Sequence, residues 1–195
     1  MSRPGLAVVR PRRRVSVLVA DPPWKYGDKL PGRGRGAAKQ YKCLPLECLE
    51  RFSLPELGDN AILFLWRVAQ MQDEALQLCR AWGFEPYGEM VWNKLTKHGK
   101  QHFGMGRVMR YSHESILVGM RGRALPSRRN IRSSFSAPTP TAENGRVIHS
   151  AKPDEFFRLV ELMYPRAARF EMFARRVRPG WVQFGNQLGK LGRAA

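Results

Sequence analysis

The run Val15-Ser16-Val17-Leu18-Val19-Ala20 is almost continuously apolar and β-branched, and it stops at Asp21-Pro22-Pro23. A strand covered on both faces of a parallel sheet has this signature, because neither face alternates with water. Ala61 to Trp66 (AILFLW) repeats it. Val68, Met71, Ala75, Leu78, Cys79 and Trp82 then recur at helical spacing before Gly83, which predicts a helix over 68–82 closed by the glycine. Pro86 to Trp92 and Ser115 to Met120 are two further predicted strands. Ser150 and Lys152-Pro153-Asp154-Glu155 open a second helix, with proline in the first turn and acids facing the dipole. Phe156, Leu159, Val160 and Met163 form its apolar face, and Tyr164-Pro165 ends it. Arg169 to Ala174 and Trp181 to Phe184 are the last predicted strands. With a short helix at Leu46 to Phe52, the order describes an α/β fold whose largely parallel, doubly wound sheet is flanked by helices.

The intervals between these elements are basic. Gly27 to Lys39, Lys94 to Arg110 and Arg121 to Arg146 are rich in Gly, Pro, Lys and Arg and lack an apolar period. The chain is therefore expected to be a single domain over 1–195, with a basic N-terminal segment at 1–14 and mobile basic loops at 27–40 and 121–147. A loop as long as the last is uncommon in a compact domain unless it binds something.

Charge gives the partner class. Lys and Arg number 34 against 16 Asp and Glu over 195 residues, a formal charge of +18 that points to a polyanion. Arg128, Arg129 and Arg132 in the long loop are the expected phosphate contacts. Aromatic residues at 10% exclude a disordered basic tail. The three cysteines, Cys43, Cys48 and Cys79, form no C-x-x-C pair, and His98 and His102 lie among glycines without a nearby third ligand. Neither a disulfide framework nor a metal site is expected. The apolar run after Arg14 is too short for a signal core or a membrane span, so the expected setting is cytoplasmic, with no membrane partner.

Asp21-Pro22-Pro23-Trp24 closes a buried strand, and in open α/β sheets ligands bind outside the carboxyl ends of the strands. Two prolines remove backbone donors and stiffen the loop, leaving the Asp21 carboxylate and the Pro22 carbonyl as acceptors. Such a site suits an amino group with two hydrogens. Trp24 can offer a plane on which a base stacks, or it can fill the core.

D-P-P-W after a hydrophobic strand resembles the signature of S-adenosylmethionine-dependent adenine N6 methyltransferases of the MT-A70 family. The resemblance continues in order through ILFLW (62–66), AWGF (81–84), MVWNK (90–94), SHESILVGMRG (112–122), HSAKPDEFF (149–157), and RFEMFARRVRPGW with FGNQ (169–187). It implies a permuted Rossmann-like class I methyltransferase fold, with the catalytic motif ahead of the cofactor-binding strand. By the same resemblance, Asp21, Pro22, Pro23 and Trp24 form the catalytic motif. Asp21 and Pro22 accept from the target amino group and Trp24 lines the base pocket. Tyr41, Trp66 and Trp92 match aromatic positions around that pocket, each of which can equally be core. Glu114 and Lys152 match positions near the adenine and the cofactor, with Asp21 also on the cofactor side. Phe173 and Arg175 match the cofactor strand, and Asn186 and Gln187 match residues that hold the cofactor ribose.

The implied activity is methylation of adenine N6 in DNA, with the same chemistry on RNA, or a non-catalytic nucleic-acid-binding subunit, as alternatives. The implied partner is nucleic acid, DNA ahead of RNA, and a homodimer is left open. The larger family members carry an acidic segment upstream of the motif that contacts the cofactor adenine, whereas Met1 to Arg14 here is basic.

Overall fold

The computed structural model of the chain describes residues 11, 13–25, 43–104, 106, 108–142, 144–148 and 150–189. Its elements are β1 (Val15–Ala20), α1 (Leu46–Glu50), β2 (Leu57–Arg67), α2 (Gln72–Ala81), β3 (Glu85–Leu95), β4 (His113–Arg121), β5 (Ser134–Pro138), α3 (Asp154–Met163), β6 (Arg169–Met172) and β7 (Val182–Phe184). The strands form one seven-stranded sheet in the order β5-β3-β4-β2-β1-β6-β7. Only β4 pairs antiparallel to both of its neighbours; the other pairings are parallel. No helix among the described residues is long and apolar enough to cross a membrane.

Both faces of the central strands are covered, which explains their unbroken apolar runs. Leu18 and Ala20 of β1 and Leu63 and Leu65 of β2 face α1 and α2, where they pack with Ala75, Leu78 and Trp82. Val17, Val19, Ile62, Phe64 and Trp66 alternate with them and pack on the other face against Phe156, Val160 and Met163 of α3. Burying any one of the Val, Leu, Ile, Phe or Met side chains among these stabilises the fold by about 1.5–3 kcal/mol.

The expected helix over 68–82 begins instead as a 3₁₀ turn at Ala69–Met71 and continues as α2. Its C-terminal end follows the sequence signal: Gly83 has φ +78°, its N–H donates to Arg80 O, and the Phe84 N–H reaches Cys79 O at 3.1 Å. This is the Schellman pattern, which needs a residue tolerant of positive φ. β6 stops two residues short of its expected end because Phe173 turns to φ +60°.

The expected loop over 121–147 contains a strand. β5 pairs parallel with β3 from Val91↔Ser134 to Leu95↔Pro138. Its five residues, SFSAP, carry little β-propensity; they are held because Phe135 and Ala137 pack on the α3 face and Ala137 O accepts from Trp92 Nε1 at 2.9 Å. Thr141 and Val147 then form an isolated antiparallel bridge.

Candidate active site

The carboxyl ends of β1, β2, β6 and β7 lie side by side, and the chain leaves β1 toward β2 on one side while β6 borders it on the other. This is the position at which open α/β sheets hold ligands. Asp21 follows β1, Phe173 follows β6 and Gly185 follows β7. β4 runs the opposite way, so its first residues, His113 and Glu114, arrive at the same end. The turn into α3 adds Ser150 and Lys152.

Four charged side chains meet there. Lys152 Nζ lies 2.8 Å from Asp21 Oδ2 and 3.3 Å from Glu114 Oε2, and the other Glu114 oxygen pairs with Lys94 Nζ. The Lys152 ammonium also lies 5.0 Å from the centroid of the Trp66 ring. Burial raises the Asp21 carboxyl above the ordinary carboxylate range, with Lys152 pulling against it. Glu114 goes the other way: burial raises it, but the Lys152 and Lys94 ammoniums outweigh burial and hold it below the usual range. Asp21 lines the cleft, so its carboxylate is available as an acceptor beside Lys152.

The rest of the motif builds the loop. Pro22 O accepts the Trp24 N–H at 2.8 Å, and Pro23 O accepts the Leu44 N–H at 2.8 Å. One lone pair of the Pro22 carbonyl is thus committed inside the turn, leaving one for a ligand. Trp24 is 5% exposed in the core on the α1 and α2 face, and its Nε1 donates to Trp66 O at 2.9 Å. The motif tryptophan therefore ties the ends of β1 and β2 together, with no open plane for stacking. Trp92 is likewise enclosed, edge-on behind Trp66 at 6.1 Å between ring centroids. Trp66 does line the cleft, and its buried Nε1 has no hydrogen-bond partner among the described residues. Tyr41, the loop at 27–40 and most of the segment at 1–14 lie outside the described residues.

The cleft has two adjoining lobes. The first, about 480 Å³, is lined by Asp21, Trp66, Lys152, Glu171, Phe173 and Arg175, among others. The second, about 440 Å³, is shared by Asp21, Pro23, Ser150, Phe173, Arg175, Asn186 and Gln187. A β-carbon on Gly185 would stand 2.1 Å from Ala174 O, so the glycine lets the turn after β7 lie flat against the turn after β6. The Ala174 N–H donates to Phe184 O at 2.9 Å across the same junction. Ser150 and Phe173 both have φ +60°, a conformation that costs non-glycine residues and recurs at ligand sites.

Several participants were assigned no role from the sequence. Glu171 on β6 reaches the first lobe, where burial pushes its carboxyl up to about 7 despite a hydrogen bond from Gln183 Nε2 at 2.5 Å. Gln183 also donates to Arg176 O at 2.7 Å and accepts from the Arg178 N–H at 2.6 Å. Asp154 receives Arg176 at 2.9 Å and Arg178 at 2.7 Å, which fastens the start of α3 to the segment between β6 and β7. Lys94 closes the MVWNK segment, without a role assigned to it there. The signal for Glu171 was an acid between apolar residues in the predicted strand Arg169 to Ala174.

Arg128, Arg129 and Arg132 are not at this end. The Ser127 N–H donates to Met163 O at 2.8 Å, and Tyr164 OH donates to Ala124 O at 2.9 Å, so the arginine-bearing loop is anchored to the far end of α3.

The donor set fits a zwitterionic sulfonium nucleoside. Trp66 Nε1 and Lys152 suit a carboxylate, Glu171 and Asp21 suit an ammonium, Asn186 and Gln187 suit ribose hydroxyls, and Phe173 offers apolar surface.

Comparison with known proteins gives the same family as the motif order. The MT-A70 family model matches residues 15–187. The chain is 28% identical over 180 residues to the human N(6)-adenosine-methyltransferase catalytic subunit METTL3, covering 90% of this chain and 28% of that protein. It is 27% identical over 180 residues to the N(6)-adenosine-methyltransferase MT-A70-like protein of Drosophila melanogaster, covering 90% of this chain and 27% of that protein. With the type II methyltransferase M.MunI of a Mycoplasma species it shares 28% over 198 residues, 91% of this chain and 79% of that protein. The chain thus spans just over a quarter of the length of the first two relatives. Since the match runs from the strand that delivers Asp21 to the turn that delivers Asn186 and Gln187, this chain belongs to the MT-A70 family.

Proposed function

We propose that the protein transfers a methyl group from S-adenosylmethionine to the N6 amino group of adenine in nucleic acid. The observation that carries this reading is Asp21, paired with Lys152 at the end of β1 and lining both lobes of the cleft. The permuted Rossmann-like arrangement, with β1 bearing the catalytic motif ahead of the cofactor strand β6, is part of the reading.

When bound, the cofactor supplies an electrophilic methyl group on its sulfonium. The residues of this chain do the rest. The adenine amino lone pair is delocalised into the ring, so the nitrogen is a poor nucleophile until it becomes more pyramidal. The Asp21 carboxylate, with the remaining lone pair of Pro22 O, accepts hydrogen bonds from the two amino hydrogens and stabilises the positive charge that develops on the nitrogen, which then returns to neutral by losing one of those hydrogens as a proton to solvent. Lys152 fixes the rotamer of Asp21, and Glu114 with Lys94 fixes Lys152. Trp66 forms an apolar wall that excludes water from the reacting end, strengthening each of these interactions. Lys152, Arg175, Asn186 and Gln187 would hold the cofactor, which aligns the two reactants.

DNA is placed ahead of RNA, because the type II methyltransferase is matched over most of its own length. RNA is the second reading, supported by the two adenosine methyltransferases. Incubating the protein with cofactor and duplex DNA, single-stranded DNA or RNA, followed by nucleoside mass spectrometry, tests both. N6-methyladenosine in RNA alone would reverse the substrate order, and no methylated adenine in any arm would remove the proposed activity.

A further inference from the structure

A groove of about 1060 Å³ lies at the opposite end of the sheet from the cleft. Its floor is the α3-side face of β2 and β4, where Ile62, Phe64, Val118 and Met120 show that α3 covers only part of this face. Met163 and Tyr164, at the far end of α3, make one wall. Arg128, Arg129 and Arg132 make the rim opposite, on a loop fixed by the two hydrogen bonds to α3 described above. Tyr87, on β3, stands in the mouth and is 69% exposed.

Two observations select an occupant. Among the described residues, none of the three arginines pairs with a carboxylate, and the one acid lining the groove, Glu89, is already paired with Arg67. A concave surface with three unneutralised guanidinium groups around an exposed tyrosine suits an anionic chain that carries flat apolar groups. A second copy of a chain with charge +18 brings like charge to like. The groove also lies at a useful distance. Ile62 is four residues below Trp66 on β2, about 13 Å at 3.3 Å per residue, which is about four nucleotides of stacked strand at 3.4 Å each. The edge strand β5 runs between the two places, from the groove rim at Ser133 to the carboxyl-end face at Pro138.

We propose that this groove is a remote nucleotide subsite for the same substrate: it binds a nucleotide flanking the target adenine, with phosphates on Arg128, Arg129 and Arg132 and a base on Tyr87. The proposal rests on the methyltransferase reading and extends it, because it gives the arginines a task at a distance from the chemistry. It makes affinity depend on strand length, and sequence preference at the remote position follows from whichever base the groove accepts best.

The test uses fluorescein-labelled single-stranded DNA of 5 and 15 nucleotides with one central adenine, bound to the full chain in saturating S-adenosylhomocysteine and followed by anisotropy, with methylation measured in parallel. The 15-mer should bind the native protein at least tenfold more tightly than the 5-mer. Tyr87→Ala should remove roughly tenfold of the 15-mer affinity, as expected for one lost stacking partner. Arg128→Gln, Arg129→Gln and Arg132→Gln together should lower its log-log salt slope by about 2, at 0.7 per phosphate. Neither variant should change binding of the 5-mer or of S-adenosylhomocysteine.

Equal native affinity for the two lengths, or variants that keep native 15-mer affinity, would overturn the subsite. So would a dimer in sedimentation that Tyr87→Ala dissolves, since it assigns the groove to a second copy of the chain. Methylation of both strands without length dependence rejects the subsite alone; length-dependent binding without methylation of either rejects the activity alone.

Discussion

Lys152 and Asp21 come from opposite ends of the fold's chemistry, the turn before α3 and the end of β1, and their Nζ and Oδ2 atoms lie 2.8 Å apart. The pairing sets the state of the site. Burial pushes Asp21 toward its neutral form, a poorer acceptor for a nitrogen gaining positive charge, and Lys152 opposes that push without cancelling it.

Replacing Asp21 by Asn keeps the shape and removes the charge. Methyl transfer in single turnover should fall about a hundred- to thousandfold, with S-adenosylhomocysteine affinity and the melting temperature little changed. In the native protein the active form is the carboxylate, and its pKa is raised. Transfer should therefore decline as pH falls through that raised value and hold above it. An Asp21→Asn protein that is folded and transfers methyl at the native rate would sink the mechanism.

Lys152→Met tests the other half of the pair. It leaves Asp21 and Glu114 without their shared cation, with Lys94 beside Glu114 and Arg175 near Asp21, so both carboxyls should titrate at higher pH than in the native protein. Cofactor-product binding should weaken by about 1–3 kcal/mol, the scale of one lost charge-assisted hydrogen bond. Calorimetry against S-adenosylhomocysteine would show it, and native affinity in the folded variant would rule Lys152 out of the cofactor site.

The second lobe depends on backbone as well as side chains. Gly185→Ala places a β-carbon 2.1 Å from Ala174 O and should lower both the melting temperature and cofactor-product affinity. Asn186→Ala removes only an exposed side chain, so it should leave the melt unchanged and weaken binding by about 1 kcal/mol. Equal effects of the two substitutions on the melt would contradict this division.

Glu171 couples the cleft to pH through stability. Its pKa is raised from an ordinary 4.5 to about 7 by burial, so the folded state holds a proton that the unfolded chain releases between those values. This contribution to stability is present below about 4.5 and is lost as pH rises through about 7. Glu171→Gln cannot titrate and should gain stability relative to the native protein between pH 5 and pH 8 in urea melts. Parallel pH dependence in the two proteins would show that Glu171 does not titrate in this window.

The apolar runs at Val15 to Ala20 and Ala61 to Trp66, the helical spacing before Gly83 and the proline and acids opening α3 determined the fold class, because each records which faces are covered. The Asp-Pro-Pro-Trp motif at a strand end likewise marked the cleft, since the sheet can present a ligand only where its strands stop. Tertiary structure decided what local pattern does not encode. β5 exists because β3 offers an edge and the α3 face accepts Phe135 and Ala137, neither visible in five residues of Ser, Phe, Ala and Pro. Trp24, in the turn after β1, packs on the α1 and α2 face, whereas Trp66, within β2, packs on the α3 face and also lines the cleft, because the two sheet faces alternate. Glu171 and Lys94 became site residues through strand order and direction. The arginines of the long loop lie at the far end of the sheet, because α3 must run back across it before its last turn can hold them. Charge is a property of the sequence; which charges share a solvent-poor space is decided only when the chain closes on itself.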